Sequence, residues 1–217
     1  MKKIFTSVAL ACSLFATTSV FAQDAATNKG DVLFDIGVGL IGNEYSYSSN
    51  YNYHNESKYQ LPTFSVALQK AFWDDITIGG QISFNGGGTK YDNYTQGDGY
   101  YQTNIRNSNF TSYFTARGEY HFNRLIGLDP KFDLYAGALV GFSISNEVHR
   151  YDEGYTNPDG TGNGNWGPST KKSASINAGP VVGPFGGFRY YFANNLGVYG
   201  EVGWAITAIR GGLVWRL

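Results

Sequence analysis

The chain has 217 residues, 16 Lys and Arg against 17 Asp and Glu, and a formal charge of −1, a balance that points to no nucleic-acid partner. Aromatic residues make up 17% and glycines number 29, while mean hydropathy is only −0.28. That combination suits a transmembrane barrel, whose half-polar strands dilute the average.

The chain opens MKKIFTSVALACSLFATTSVFA. Lys2 and Lys3 form a basic start, Ile4 to Phe21 carries no charge, and Val20-Phe21-Ala22 offers the residue types a signal peptidase reads. Residues 1–22 are expected to be a secretory signal cut between Ala22 and Gln23, with 23–29 a polar periplasmic lead. Cys12 is the one cysteine; the apolar run continues past it, which argues against a lipid anchor. The mature chain then has no thiol, so disulfides cannot stabilise it. No later apolar run reaches the roughly 18 residues of a transmembrane helix.

From Asp31 on, side chains alternate with a period of two, the mark of strands. Asp31–Ile41 puts Val32, Phe34, Ile36 and Val38 on one face and Asp35, Gly37 and Gly39 on the other. Asn43–Gln60 breaks the pattern with Tyr, Ser and Asn. Leu61–Trp73 resumes it, with Lys70 placed to snorkel to headgroups. Trp73-Asp74-Asp75 turns the chain into Ile76–Asn85, where Ile78, Ile82 and Phe84 oppose Thr77, Gln81 and Ser83. Gly86–Asn107 is polar again. Asn109–Phe122 and Lys131–Ser145 alternate, joined by a turn at Asn123–Pro130. Asn146–Lys172 is rich in Gly, Asn and Asp. Ser173–Phe192 follows, and Pro180 and Pro184, each without a ladder donor, predict a bulge or an irregular upper half there. Ala193–Asn195 leads into two strands, Leu196–Ala205 and Ala208–Leu217, joined at Ile206-Thr207.

These elements predict an all-β fold: an eight-stranded antiparallel up-and-down transmembrane barrel over 30–217. Long and short connections alternate, which sets long loops outside and both termini in the periplasm. Aromatics gather at strand ends (Phe72 and Trp73, Tyr120 and Phe122, Trp215), as in an interfacial girdle. A soluble sandwich also alternates, but nothing obliges it to place aromatics there.

The chain resembles the small outer-membrane β-barrels of the OmpA/OmpX type. The resemblance rests on Gly30 to Leu217 and on a C-terminal barrel-assembly signal filled by Arg210, Gly212, Trp215 and Leu217. Leu217 stands where the family usually ends in an aromatic. The resemblance implies residence in the outer membrane, biogenesis through the barrel-assembly machinery, and a role in envelope integrity, adhesion or small-solute passage.

Lipid cannot satisfy a free strand edge, so the sheet must close, and eight strands close around an interior just filled by side chains. The inward set includes Asp35, Arg117, Glu119, His121, Asp133, Arg189, Glu201, Arg210 and Arg216, expected to pair as a plug because isolated buried charges are costly. Glu201 is expected between Arg189 and Arg210. Inward glycines such as Gly37, Gly137 and Gly141 leave room for the alternative, a narrow channel for small solutes. In the polar segments, Tyr45, Tyr47, Tyr51, Tyr53, Tyr59, Tyr91, Tyr94, Tyr100 and Tyr101 sit among asparagine and serine, the chemistry of adaptable recognition; an extracellular protein or glycan is their candidate partner. Catalysis is not expected: His54, His121 and His149 are the only imidazoles and none completes a nucleophile–base–orienter set. No two histidines fall at metal-ligand spacing, and Gly86-Gly87-Gly88-Thr89-Lys90 lacks phosphate-loop spacing and a following helix. The sequence implies no cofactor, and a monomer is expected.

Overall fold

The computed structural model describes residues 26–42, 57–95, 100–155 and 169–217. The expected leader with its expected cleavage between Ala22 and Gln23, His54, and Tyr45, Tyr47, Tyr51 and Tyr53 lie outside the described residues. No described helix is long and apolar enough to cross a membrane, which says nothing against strands doing so.

Eight antiparallel strands close in sequence order, β1 pairing with both β2 and β8. They are β1 (Val32–Gly42), β2 (Ser57–Trp73), β3 (Ile76–Thr95), β4 (Tyr100–His121), β5 (Phe132–Tyr155), β6 (Ser169–Tyr191), β7 (Leu196–Gly203) and β8 (Thr207–Arg216). A short helix, α1 (Asn123–Ile126), sits in the β4–β5 turn. The Asn123 carboxamide accepts from Leu134 N at 3.0 Å and donates to the Phe132 carbonyl, stitching that turn shut.

The alternation fixes which way each strand faces. Outside, the apolar residues of every strand form a belt: Val182 is 73% exposed, Val202 62% and Val140 60%. Inside lie the polar ones; Asp35, Arg117, Glu119 and Arg189 are all at most 1–2% exposed. At the end carrying both termini the belt is rimmed by aromatic contacts, Tyr120 on Phe122 at 5.1 Å and Phe132 on Tyr190 at 4.9 Å between ring centroids. A continuous apolar outer surface around a charged interior is the reverse of a soluble core, and lipid is the solvent that suits it.

Much of the second and third polar stretches read as loops is strand, and so is Ser57–Gln60 at the end of the first. β3 runs on to Thr95, β4 starts at Tyr100, β5 continues to Tyr155 and β6 begins at Ser169. Ladder pairing persists from Gly86↔Phe110 to Thr95↔Tyr101 and from Asn146↔Ile176 to Glu153↔Ser169. Beyond the lipid both faces of a strand meet water, so no alternation is imposed, while Tyr and Thr remain good strand residues. Tyr91, Tyr94, Tyr100 and Tyr101 therefore stand on strands rather than loops, and Tyr91 is only 2% exposed.

The irregularity expected at Pro180 and Pro184 is not found: the β5–β6 register runs without a shift through Phe142↔Pro180 and Ala138↔Pro184. The Pro184 carbonyl accepts from Trp204 N on the β7 side. Backbone groups alternate sides along a strand, so the donors that both prolines lack point away from β5. A register shift does occur between Leu61 and Phe64, where Pro62 falls.

Candidate functional site

The interior has two levels. In the lower level, direct cross-strand pairing of Asp133 with Arg189 brings the first ion pair together, Nη1 to Oδ2 at 3.1 Å. Arg189 Nη2 also reaches Glu119 at 2.9 Å and Asp35 at 3.4 Å, and the guanidinium stacks over the Tyr135 ring, 3.9 Å from its centroid. His121 Nδ1 lies 2.8 Å from Asp133 Oδ1. Glu119 then bridges to Arg117 at 2.5 Å, and Arg117 reaches across the barrel to Glu201. Arg210 completes the chain, 2.8 Å from Glu201, whose other oxygen accepts from Tyr135 Oη at 3.2 Å. Uncharged neighbours close the gaps: Gln81 accepts from Arg117 at 2.8 Å and Gln69 donates to Asp35 at 3.2 Å.

Glu201 thus lies between Arg117 and Arg210, not between Arg189 and Arg210. Two physical facts explain the difference. The β7–β8 turn is centred one residue earlier than Ile206-Thr207, so Glu201 pairs directly with Arg210. Arg189 sits one diagonal step from Glu201, but Asp133, directly opposite it, and the Tyr135 face draw its guanidinium the other way. Arg216 joins no carboxylate among the described residues. It donates to the Ala26 carbonyl and to the Asn194 carbonyl, each at 2.5 Å, and covers Tyr191.

That contact exposes a feature the sequence reading missed. Ala26 and Thr27 are 0% and 1% exposed because the N-terminal lead enters the barrel mouth. Ala26 packs on Tyr191, Tyr199 and Val214, and Thr27 Oγ1 donates to Asp133 at 3.4 Å. Outside, Lys29 N donates to Asp74 at 3.1 Å, and Arg124 pairs with Asp74 at 2.9 Å. These hydrogen bonds, Arg124 first, hold the exposed Asp74 carboxyl below its usual range.

At two inward glycines the freed space is taken by aromatic side chains. The space beside Gly187 holds the Tyr135 hydroxyl, 2.7 Å from where a Cβ would sit, and that beside Gly137 holds the Phe185 ring at 2.7 Å. Above the charges, Leu139, Val181, Phe185 and Ile206 form an apolar layer with Tyr135.

Over that layer the barrel opens into a cavity of about 780 Å³ between the inner faces of β2 to β6. Its walls carry carboxamides and hydroxyls: Asn85 donates to Tyr113 Oη at 3.3 Å, and Thr111 and Ser145 share a 2.7 Å bond. His149 hydrogen-bonds Asn107 across the β4–β5 ladder and packs on Tyr151, and partial burial holds its imidazole below the usual range. Gly86, Gly87 and Gly88 form a stretch of this wall in β3. The described residues contain no group of three potential metal ligands.

No family model matches the chain, and no curated protein matches it. Solved structures do. The attachment invasion locus protein Ail of Yersinia pestis aligns over 87% of this chain and 99% of its own at 10% identity and a TM-score of 0.41. The N-terminal β-barrel domain of Pseudomonas aeruginosa OprF aligns over 88% and 100% at 11% identity and 0.42. Ail in complex with the heparin analogue sucrose octasulfate aligns over 87% and 99% at 11% identity and 0.38. At these values none of them bears on what this chain does. What decides the class is the chain's own closed ring of eight strands, apolar outside and charged within. The chain has the fold of the small outer-membrane β-barrels of the OmpA/OmpX type. In this barrel the C-terminal Arg210, Gly212 and Trp215 all lie on β8, which closes the ring against β1 at Gly37↔Gly212 and Phe34↔Trp215.

Proposed function

We propose that the protein is an integral barrel of the bacterial outer membrane, with a sealed lumen and a recognition surface on its outward extension. The observation that carries this reading is the length of the strands. A tilted transmembrane strand needs about 9–11 residues. β7 and β8, with 8 and 10, do little more than span, whereas β4, β5 and β6 have 22, 24 and 23. At about 3.4 Å per residue, roughly half of each long strand stands clear of the lipid. Packing alone gives no reason to keep so much ordered polar sheet there.

On this reading both termini are periplasmic, lipid and the assembly machinery are the partners of biogenesis, and the barrel works as a monomer without a catalytic role. The interlocked ion pairs and the apolar layer above them support the sealed lumen. The topology is tested by labelling intact cells with a membrane-impermeant maleimide. Ser173→Cys, on the extension, should label; Ala193→Cys, in the short β6–β7 turn, should not. The opposite pattern inverts the topology and refutes the reading. Steady conductance of the refolded wild type in a planar bilayer would replace the sealed lumen with a channel.

A further inference from the structure

We infer that the cavity above the apolar layer is a saccharide-binding site, specific for neutral polyols. The inference rests on the reading that the upper extension faces outward, but concerns a site that reading does not assign.

The size is right. About 780 Å³ falls within the range of roughly 300–1,000 Å³ usual for small-molecule sites. The chemistry is more specific. The inner faces of the upper strands offer Asn, Ser and Thr almost without charge: Lys58 and Glu147, one of each sign, are the charged side chains of the described lining. Burial keeps His149 largely neutral at pH 7. A polyanion finds no matching field here, and an apolar ligand would strip water from many polar groups without replacing their hydrogen bonds. A sugar does replace them, because each hydroxyl both donates and accepts, which is what a carboxamide can match on one residue. Among the described residues Asn109 and Asn177 make no side-chain hydrogen bond, and both line the cavity. The floor, with Val181 and Ala205, supplies the apolar surface that the C–H face of a sugar ring needs.

Across the described residues the cavity is open laterally as well as from above. Among the described residues Ser169–Gly183 of β6 pair only with β5, because the β7 side begins at the Trp204 N to Pro184 carbonyl bond and the Phe185↔Gly203 pair. The β7–β8 turn at Trp204–Ile206 forms a low sill, and Trp204 on it is 84% exposed. A saccharide carried on a lipid headgroup and one free in solution could both enter.

The test uses the refolded full-length mature protein in nanodiscs, titrated with maltotriose, cellotriose and N-acetylchitotriose, and with a heparin-derived sulfated tetrasaccharide. At least one neutral saccharide is expected to bind, and the double variant Asn109→Leu, Asn177→Leu to bind it at least tenfold more weakly. Heat-modified mobility on gels confirms that the variant folds, and Lys172→Gln, on the face of β6 turned away from the cavity, should bind normally. Competition by lipopolysaccharide in the disc assigns the lipid headgroup as the source; no competition assigns the free saccharide. No binding by any neutral member, tighter binding of the sulfated one, or indifference to the double variant overturns the inference. None of these outcomes depends on orientation in cells, so labelling at Ser173→Cys remains a separate test of topology.

Discussion

The lower and upper halves of strands β3 to β6 are the same ladders in different solvents. Below about Ile144 every second side chain belongs to the outer apolar belt, and the inward ones form interlocked ion pairs beneath an apolar layer, with almost no exposure. Above it the ladder continues in register, but the inward residues are mostly neutral, are half-exposed or exposed, and surround a cavity. The comparison teaches that alternation belongs to the membrane rather than to the strand. Where lipid ends the pattern ends, and the backbone pairing does not.

The two halves should therefore respond very differently to substitution. Arg189→Leu has the largest expected effect, because it strands Asp133, Glu119 and Asp35 at once. Removing one partner of a buried cluster costs about 3–5 kcal/mol, so the urea midpoint of the refolded barrel should fall by that equivalent; an unchanged midpoint would mean the ion pairs do not hold the lower half. Glu201→Ala, which leaves Arg117 and Arg210 without their shared carboxylate, should come next.

On the outer face, Ile82 lies between Val66 and Phe114 in mid-belt, whereas Ile78 lies beside Lys70 near the lower rim. Arginine at Ile82 should cost about 2–4 kcal/mol and at Ile78 distinctly less. Equal costs in the same unfolding assay would break the placement of the belt. In the upper half, Ser175→Leu should change stability by no more than about 0.5 kcal/mol, as at an ordinary surface site.

The smallest effect is one of pH. His149 is held neutral by burial, so the unfolded chain takes up the proton first as pH falls below its ordinary value of about 6.5. Acidification from pH 7 to 5 should therefore loosen the upper β4–β5 ladder, read as falling hydrogen-exchange protection around Asn107 and His149. His149→Asn should abolish that dependence. Protection that rises on acidification would reverse the sign and refute the account.

The same division explains what was legible in the sequence. Strand count, closure and the inward set Asp35, Arg117, Glu119, Asp133, Arg189, Glu201 and Arg210 could all be read where lipid imposes a period of two. Gly86–Thr95 and Asn146–Tyr155 looked like loops because neither face there is apolar. Local register found Gly187↔Glu201, yet no local rule shows that Arg117 reaches across the lumen to Glu201. Gln81, Gln69 and Tyr135 lay on the inward face but carry no charge to draw notice. Entry of Ala26 and Thr27 into the barrel mouth leaves no periodic signal at all.

A cysteine scan along the inner face of β5 tests this division most directly. Single cysteines at Tyr135, Leu139, Ser143, Ser145 and Glu147 would be exposed to a water-soluble maleimide in the nanodisc-embedded barrel. Reaction is predicted at Ser145 and Glu147, a sharp fall at Ser143, and none at Leu139 or Tyr135. Uniform reaction down to Tyr135 would make the lumen an open channel, and no reaction at Ser145 or Glu147 would remove the upper cavity.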